Sequence, residues 1–310
     1  MAISRRNFLK RTLAIAGTTV IGSSKAVLAD QKNADRYGVL VDTTFCNGCR
    51  KCEWACNEWN KNPNKPVKAF EDKAVFQSVR RTNAVTFTVV NRYSNPQNTI
   101  PLYVKKQCMH CEEPACLSAC FVDAFKKTVK GAVTYNPGLC VGCRYCMIAC
   151  PFDIPAYEYN EPVNPRVMKC TFCFDRISKE GQVPACVEVC PTETLRFAKR
   201  SELINLAHER IRNNPRRYID HIYGEHEVGG TSWLYLSSVP FEKIGFRTDL
   251  GKKPVPNLSK GFLFMVKVFE IAAAWPLVFA AFCAIKKLRN KHVDNEIALE
   301  EKKAGNGKKT

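Results

Sequence analysis

The sequence predicts an α+β fold in which two similar small modules are nested, one inserted in the other, and are followed by a single C-terminal transmembrane helix. Three observations predict it. Sixteen of the 17 cysteines form four blocks along the chain, and short apolar runs of strand length lie between the blocks. A run of 24 mainly apolar residues follows near the C-terminus and contains the remaining cysteine, Cys283.

All four cysteine blocks open with C-x2-C and close with C-x3-C. The first and third have the spacing C-x2-C-x2-C-x3-C, which holds cubane iron–sulfur clusters, whereas the second and fourth have a longer middle gap. The blocks are Cys46, Cys49, Cys52 and Cys56; Cys108, Cys111, Cys116 and Cys120; Cys140, Cys143, Cys146 and Cys150; and Cys170, Cys173, Cys186 and Cys190. In such a block three thiolates bind one cluster and the fourth binds its neighbour. Sixteen thiolates therefore predict four [4Fe–4S] clusters, with the same cysteines as iron ligands.

Other interpretations of these cysteines fit the spacing less well. A structural zinc site takes four ligands, usually as two pairs, so the third and fourth cysteines of each block would be unused. A disulfide framework would not repeat cysteines three positions apart four times. Covalent haem attachment needs C-x2-C-H, and none of the four C-x2-C pairs is followed by histidine.

The formal net charge of +18 could indicate nucleic-acid binding. Residues 1–29 carry five basic and no acidic residues, however, so their removal leaves 18 − 5 = +13. Each oxidised cubane with four thiolates adds roughly −2, or roughly −8 for four clusters. The mature, loaded protein would be only modestly basic, which argues against a nucleic-acid partner.

Residues 1–29 have the features of a twin-arginine (Tat) export signal. Ser4 to Lys10 is S-R-R-N-F-L-K, a short apolar stretch follows from Thr12 to Ser23, and Ala29 ends a small-residue cleavage site. The apolar stretch is too short for a transmembrane helix. Tat carries folded proteins, which suits clusters assembled in the reducing cytoplasm. A basic amphipathic arm is the alternative interpretation.

Residues 30–100 are expected to form the first half of the outer module. The apolar run Tyr37–Asp42 predicts a strand that leads into the first block. Val85–Val90 alternates at period two and predicts a second strand, with Val75–Arg80 as its partner across a turn near Thr82.

Residues 101–160 are expected to form the inner module. Block two follows Leu102, the run Gly131–Tyr135 predicts a strand, and Pro151 follows the last cysteine of block three. This order of three-plus-one ligands, a hairpin, and three-plus-one ligands is that of a two-cluster bacterial ferredoxin. The crossing of the fourth ligand gives Cys108, Cys111, Cys116 and Cys150 for cluster 2, and Cys140, Cys143, Cys146 and Cys120 for cluster 3.

Blocks one and four can form a second ferredoxin-like module around the first. The same crossing gives Cys46, Cys49, Cys52 and Cys190 for cluster 1, and Cys170, Cys173, Cys186 and Cys56 for cluster 4. Spacing alone leaves this outer pairing open, because it spans more than a hundred residues. Residues 161–258 would hold block four and an extension with a strand at Leu195–Phe197, a helix at Ser201–Arg212 capped by Ser201, and a strand at Trp233–Leu236.

Residues 261–286 are expected to anchor the chain in a membrane. The 24 residues Phe262–Ile285 carry only two charges, Lys267 and Glu270, and a helix of that length covers about 36 Å, enough to cross a bilayer. Four basic residues follow between Lys286 and Lys291, so residues 287–310 are expected to be a basic cytoplasmic tail. A buried or an interfacial helix is the alternative.

The fourfold block order resembles the four-cluster ferredoxin-like electron-transfer subunits of periplasmic respiratory oxidoreductases, and the resemblance covers essentially the whole chain. The iron–sulfur subunit of type-2 membrane-bound nickel–iron hydrogenase is similar in its Tat signal, in K-K-Q-C-M-H-C at Lys105–Cys111 and in G-C-R-Y-C-M at Gly142–Met147. The beta subunit of membrane-bound formate dehydrogenase is similar in C-N-E-W-N at Cys56–Asn60 and in C-T-F-C-F-D-R at Cys170–Arg176. Arg5 and Arg6 favour the hydrogenase type, since formate-type beta subunits usually lack their own signal.

The resemblance implies a row of four clusters that relays electrons between a periplasmic catalytic subunit and a membrane quinone-reactive or cytochrome b subunit. It implies that blocks one and four pair. The Tat signal and the basic residues after the apolar run both predict that the cluster domain lies in the periplasm and the C-terminus in the cytoplasm. The catalytic partner would be a nickel–iron hydrogenase or a molybdenum or tungsten formate dehydrogenase.

Hypotheses of other classes are a quinol-dependent reductase subunit and a non-redox anchoring protein. No catalytic residues are predicted, because the chain has no G-x-G-x-x-G, P-loop, H-E-x-x-H or G-x-S-x-G motif. Basic residues near the blocks are candidates for raising cluster potentials, with ordinary surface charge as the alternative. They are Arg50, Lys51, Lys105, Lys106, Arg144 and Lys169.

Overall fold

The computed structural model describes residues 35–95, 99–258, 275 and 279–287. The chain divides into two compact units, Met1–Pro256 and Asn257–Thr310. The expected signal peptide, most of the expected membrane anchor and nearly all of the tail lie outside the described residues. Residues 279–287 are helical, and in the part of the chain that is described no helix combines the length and apolarity needed to cross a membrane.

The described residues of the first unit form nine short strands among small helices. The strands are β1 (Tyr37–Asp42), β2 (Thr88–Tyr93), β3 (Leu102–Gln107), β4 (Phe125–Lys127), β5 (Val133–Tyr135), β6 (Ala156–Tyr157), β7 (Val167–Met168), β8 (Leu195–Lys199) and β9 (Trp233–Leu236). The α-helices are α1 (Lys51–Trp59), α2 (Ala115–Ser118), α3 (Tyr145–Ala149), α4 (Phe174–Lys179), α5 (Ala185–Glu188), α6 (Arg200–Asn213) and α7 (Val255–Leu258). Single 3-10 turns lie at Val67–Glu71, Ala74–Gln77, Pro137–Leu139, Glu227–Gly229 and Phe241–Ile244.

A three-stranded sheet of order β8-β1-β9 lies at the centre of this unit. Strand β1 is antiparallel to β8 and parallel to β9, so Val39 lies opposite both Phe197 and Trp233. One face packs on α6 through Leu203 and Ala207. The other face packs on a large core that contains Trp233 and Tyr235. Because both faces are covered, β1 is an almost continuous apolar run, and its predicted bounds are confirmed.

This sheet brings the two ends of the cysteine region together. Strand β1 ends four residues before Cys46, and β8 begins five residues after Cys190. Since β1 and β8 are antiparallel neighbours, the end of β1 and the start of β8 lie side by side, with Val41 opposite Leu195. The first and fourth blocks therefore meet, although 144 positions separate their outermost cysteines.

The expected pairing within residues 75–90 is wrong. The second strand begins at Thr88 rather than Val85, and its partner is β3, with Val90 opposite Lys105. Residues Ala74–Gln77 form a 3-10 turn instead of a strand. Arg80 lies beside β2 through side-chain contacts, since its backbone N–H donates to Asn91 Oδ1 and its guanidinium donates to the carbonyl of Val90.

The inner module has the predicted hairpin, in which β4 pairs with β5. The strand begins at Val133, two residues later than expected, because Gly131 and Ala132 belong to the turn. Gly131 has φ +96°, and a side chain there would lie against the carbonyl of Tyr37. Strands β6 and β7 form a second short pair in the following segment.

Helix α6 confirms the predicted helix, but its expected cap is wrong. The helix begins at Arg200, so Ser201 is inside its first turn, and Lys199 at the cap position makes no side-chain cap bond. Instead, the Arg200 N–H donates to the carbonyl of Arg36, and Ser201 Oγ donates to Asp35 Oδ2 at 2.7 Å. The chain just before β1 thus provides acceptors that a capping side chain would otherwise supply.

Candidate metal centres

The first and third blocks have the same backbone conformation. In each, the glycine before the second cysteine and the arginine after it have positive φ: +72° at Gly48 and +71° at Gly142, and +59° at both Arg50 and Arg144. A short helix, α1 or α3, begins at the next residue. These left-handed residues fold the chain tightly, so that the first three cysteines face a common centre. Gly48 also lies against the Tyr103 ring, where no side chain would fit.

The outer module contains two cysteine-lined cavities. Site 1 is lined by Cys46, Cys49, Cys52 and Cys190. Site 4 is lined by Cys56, Cys170, Cys173 and Cys186. These are the sets expected for clusters 1 and 4, so the structure brings together residues that spacing alone could not pair.

The cysteines of the inner module also gather in two sets. Burial raises the pKa of the Cys111 thiol, and charges at Cys108, Cys150 and Cys116 raise it further, so these four side chains are neighbours at site 2. At site 3, burial raises the pKa of Cys146 to about 11, with contributions from Cys140, Cys143 and Cys120. The two sets are those expected for clusters 2 and 3. Whether each set binds a cluster stays a prediction.

The four sites are arranged as a row. Site 1 adjoins site 4, because the Cys186 charge acts on Cys52. Site 4 adjoins site 2, because the Cys108 charge acts on Cys170. Site 2 adjoins site 3, because the Cys146 charge acts on Cys116. The order along the row is therefore 1-4-2-3. The two sites of the outer module, 1 and 4, are neighbours, and so are the two sites of the inner module, 2 and 3. These pairs are called the outer and the inner sites below.

The donor set fits iron–sulfur clusters. Burial raises the pKa of Cys46 and of Cys116 to about 12, so these thiols become thiolates only beside a strong positive charge such as that of bound iron. All 17 cysteines are free. Within the described residues, no three His, Cys, Asp or Glu side chains are arranged to hold a single metal ion. Ligands of a cubane surround a larger group and lie further apart than those of one zinc ion.

Hydrogen-bond donors around the cavities also suit a sulfur-rich group. The backbone N–H groups of Gly142 and Phe172 donate to Cys140 Sγ and Cys170 Sγ, both at 3.4 Å. Trp233 lines site 4, and its buried Nε1–H has no acceptor among the described residues. Such donors stabilise negative charge on thiolate and sulfide and raise cluster potentials.

The basic residues that the sequence singled out do not share one environment. Arg50, Lys105 and Lys169 are buried. Lys106 is partly exposed, and Lys51 and Arg144 are exposed on the surface. The first three are close enough to the sites to act on them, and the last two fit the ordinary surface interpretation.

Glu53 also belongs to the surroundings of the first block, although no sequence motif marks it. This carboxylate is 2% exposed and lies on α1 between two cysteines of the first block. It accepts hydrogen bonds from Arg50 and Arg80 and from the Val90 N–H at 2.7 Å. Glu53 thereby connects the first block to strand β2.

Comparison with known proteins gives a family. Residues 100–200 match the 4Fe-4S dicluster domain. Over 296 residues the chain is 49% identical to a protein of Nitratidesulfovibrio vulgaris, covering 96% of this chain and 78% of that one.

Two further relatives have informative names. The hydrogenase-2 operon protein HybA of Escherichia coli O157:H7 is 33% identical over 297 residues, covering 84% of this chain and 86% of that one. The iron–sulfur subunit of the nitrate-inducible formate dehydrogenase of Escherichia coli K12 is 34% identical over 243 residues, covering 76% of this chain and 77% of that one.

Proposed function

The chain belongs to the family of ferredoxin-type iron–sulfur proteins that includes the hydrogenase-2 operon protein HybA and the iron–sulfur subunits of formate dehydrogenases, and we propose that it is the electron relay of such a complex. The observation that carries this proposal is the row of four cysteine sites in the order 1-4-2-3. Electrons would enter at one end of the row from a catalytic subunit and leave at the other towards a membrane quinone-reactive or cytochrome b subunit.

Each site would hold one [4Fe–4S] cluster through its four cysteines. The clusters supply one-electron redox chemistry, while the chain fixes their order, buries them and supplies hydrogen bonds to their sulfur atoms. Three electrostatic interactions between neighbouring sites, Cys52 with Cys186, Cys170 with Cys108 and Cys116 with Cys146, support transfer along the whole row.

Iron content and redox titration test the relay. Four cubanes correspond to about 16 iron atoms per chain and to four spin systems by electron paramagnetic resonance (EPR) in the reduced protein. Two or fewer spin systems would refute the count of four. A colourless protein without absorption near 400 nm would instead support a non-redox anchoring role.

The site 3 end of the row has the surface of a subunit interface. Cys143 is exposed there, and three residues close to it in the sequence have large exposed apolar side chains: Val141 is 62% exposed, Tyr145 55% and Ile148 80%. Phe121, next to Cys120, is 73% exposed. An apolar surface around a cofactor site is typical of a permanent contact between subunits. We infer that a partner subunit covers site 3.

Substitution of Ile148 tests this interface. Ile148→Glu places a charge in the centre of the apolar surface, so co-purification of the partner subunits should fall while the iron content stays at the wild-type value. Ile100→Glu is the matched control, since Ile100 is similarly exposed, at 66%, and is far from the third block in sequence. Equal partner recovery in both variants would place the interface elsewhere.

A nickel–iron hydrogenase is the favoured catalytic partner, because the chain has its own twin-arginine motif at Arg5 and Arg6. A formate dehydrogenase is the second candidate, and the 34% identity to a formate dehydrogenase subunit supports it. A metal assay on the intact complex separates them: nickel indicates hydrogenase, whereas molybdenum or tungsten indicates formate dehydrogenase. A quinol-dependent reductase would run the same relay in the opposite direction.

We propose further that residues 1–29 are a Tat signal and residues 261–286 a membrane anchor, which places the cluster domain in the periplasm. The support is the sequence pattern S-R-R-N-F-L-K and the 24-residue apolar run Phe262–Ile285. Arg5→Lys with Arg6→Lys should leave the protein in the cytoplasm. Protease added to intact spheroplasts should degrade the wild-type cluster domain but not that of the variant.

A further inference from the structure

Lys105 lies between the two sites of the outer module, sites 1 and 4. It is on β3, is only 3% exposed, and is the one described residue that lines both the site 1 and the site 4 cavity. A single side chain is therefore placed to act on both sites at once.

The surroundings of Lys105 hold an ammonium group without neutralising it. Its Nζ donates to Gln107 Oε1 at 2.8 Å and lies 4.4 Å from the centre of the Trp233 ring. Gln107 in turn donates to the Tyr235 hydroxyl at 2.7 Å, and that hydroxyl donates to the Lys105 carbonyl at 3.0 Å. Among the described residues, no carboxylate forms an ion pair with Lys105.

A buried ammonium without a counter-charge is costly, so negative charge must come from elsewhere. The cysteines of both outer sites supply it. Burial alone would lower the pKa of Lys105, but charges at Cys186, Cys52 and Cys170 outweigh burial and raise it. These residues belong to site 4 and site 1, and a cluster in each site adds roughly −2 per site with its thiolates.

We propose that Lys105 is a fixed cation shared by the clusters of sites 1 and 4, which raises the reduction potentials of both and weakens the repulsion between them when both are reduced. This inference rests on the proposed function, because it requires both clusters. Lys105 stays protonated throughout, and each cluster gains or loses one electron without proton transfer to the lysine.

The other buried lysine side chains have different partners. Lys169 donates to the carbonyls of Val133 at 2.5 Å and of Cys170 at 3.1 Å, and its charge acts on Cys116 of site 2. Lys127 lies 3.3 Å from Glu112, which offsets its charge. The effect of Lys105 should therefore be confined to the two outer clusters.

The test is a redox titration of the intact four-cluster protein, followed by EPR. Lys105→Met keeps the apolar stem and removes the charge, so the two outer potentials should fall. At a fixed solution potential the reduced-to-oxidised ratio of each outer cluster should drop about tenfold or more, which is about 59 mV for one electron. The two inner potentials should stay near their wild-type values, and the signal of the doubly reduced outer pair should weaken.

Lys106→Met is the matched control. Lys106 is the next residue of the same strand and points the other way, since its Nζ donates to the carbonyl of Gly245 and lies 4.9 Å from the Phe246 ring centre. Its removal should leave both outer potentials unchanged. Lys105→Arg, which keeps the charge, should restore the outer potentials towards the wild type.

Three results would overturn the proposal: unchanged outer potentials in Lys105→Met, a shift of only one outer cluster, or equal shifts of all four. If Lys105→Met loses iron, Lys105→Arg and Lys105→Gln decide by iron content. If only Lys105→Arg retains its iron, the outer sites require a positive charge at this position, which supports the proposal. Equal loss of iron in Lys105→Arg and Lys105→Gln contradicts it. Two or fewer spin systems in the wild type would instead refute the proposed function.

Discussion

Glu53 shows how one buried side chain holds the first block in place. Its two oxygens accept from two guanidinium groups and a backbone amide, beside the first four residues of β2, which are buried. Two arginines and one glutamate leave a net positive charge, which faces site 1 through Arg50. The group therefore stabilises the fold and also favours negative charge in the nearby cavity.

Removal of this carboxylate should be strongly destabilising. Glu53→Ala leaves Arg50 and Arg80 without a counter-charge in the interior, which costs about 3–5 kcal/mol for a broken buried pair. The measurement is urea unfolding followed by circular dichroism on protein with its clusters in place.

Asp175→Ala is the control for that loss. Asp175 pairs with Lys179 at 3.2 Å, but the two side chains are 70% and 78% exposed. An exposed pair of this kind contributes only about 0.3–0.5 kcal/mol. A similar, small change in both variants would show that Glu53 does not stabilise the interior.

For single residues, the sequence predicts the cluster ligands better than the residues that hold those ligands in place. Cysteine spacing is local, so the block pattern alone identified the sets that meet at sites 2 and 3. Glu53 and Arg80 are 27 positions apart, and nothing in either stretch indicates that they form an ion pair. Lys105 was a candidate only because it precedes a block, and its position between two sites depends on β3 packing against Trp233.

Among the elements, the pairing of β1 with β8 has the largest consequence for the sites. It joins a strand before the first block to a strand after the fourth, and the antiparallel register sets the two blocks against each other. Strand β1 has no space for a side chain at Gly38, because a Cβ there would lie 2.8 Å from the carbonyl oxygen of Ser232 in the adjoining segment.

Gly38→Ala should therefore affect the outer module first. Overpacking in a buried strand costs about 1–3 kcal/mol. Because β1 and β8 hold the outer blocks together, we expect sites 1 and 4 to lose iron on mild heating before sites 2 and 3 do. EPR spectra recorded after stepwise heating measure this order of loss.

Gly251→Ala provides the comparison for this prediction, since nothing lies within 4 Å of the added Cβ. It should lose clusters at the wild-type temperature. Simultaneous loss of all four signals in Gly38→Ala would show that the outer module does not unfold separately.

The errors in predicted elements have a common physical cause. A short period-two pattern indicates that a stretch suits a strand, but not which stretch it pairs with. Residues 75–80 look like a strand, yet Phe76 packs on the Tyr103 ring at 5.1 Å and Arg80 is held by Asn91, so no ladder forms there. The strands of the central sheet were predictable because they are buried on both faces and carry continuous apolar runs.

For the whole molecule, the order of the sites is the property that matters most for electron transfer. In the order 1-4-2-3, the fourth block lies in the interior of the row and not at its end. Sequence order alone would suggest 1-2-3-4. The neighbour of site 1 is site 4 in the first order and site 2 in the second. Chain nesting causes this difference, because the inner module is inserted between the halves of the outer one.

Spin relaxation can distinguish the two orders. A reduced cluster speeds the relaxation of a neighbouring one, and the effect falls steeply with distance. Cys173→Ser should remove or convert the site 4 cluster, which leaves site 1 without a neighbour, so the site 1 signal should relax more slowly and saturate at lower microwave power.

Cys143→Ser is the control, since it alters site 3 at the far end of the row and should leave the saturation of site 1 unchanged. Cys283 is exposed and belongs to none of the four sites, so Cys283→Ser should change neither iron content nor saturation. If the Cys143 variant alters site 1 as much as the Cys173 variant does, the row is not arranged as 1-4-2-3.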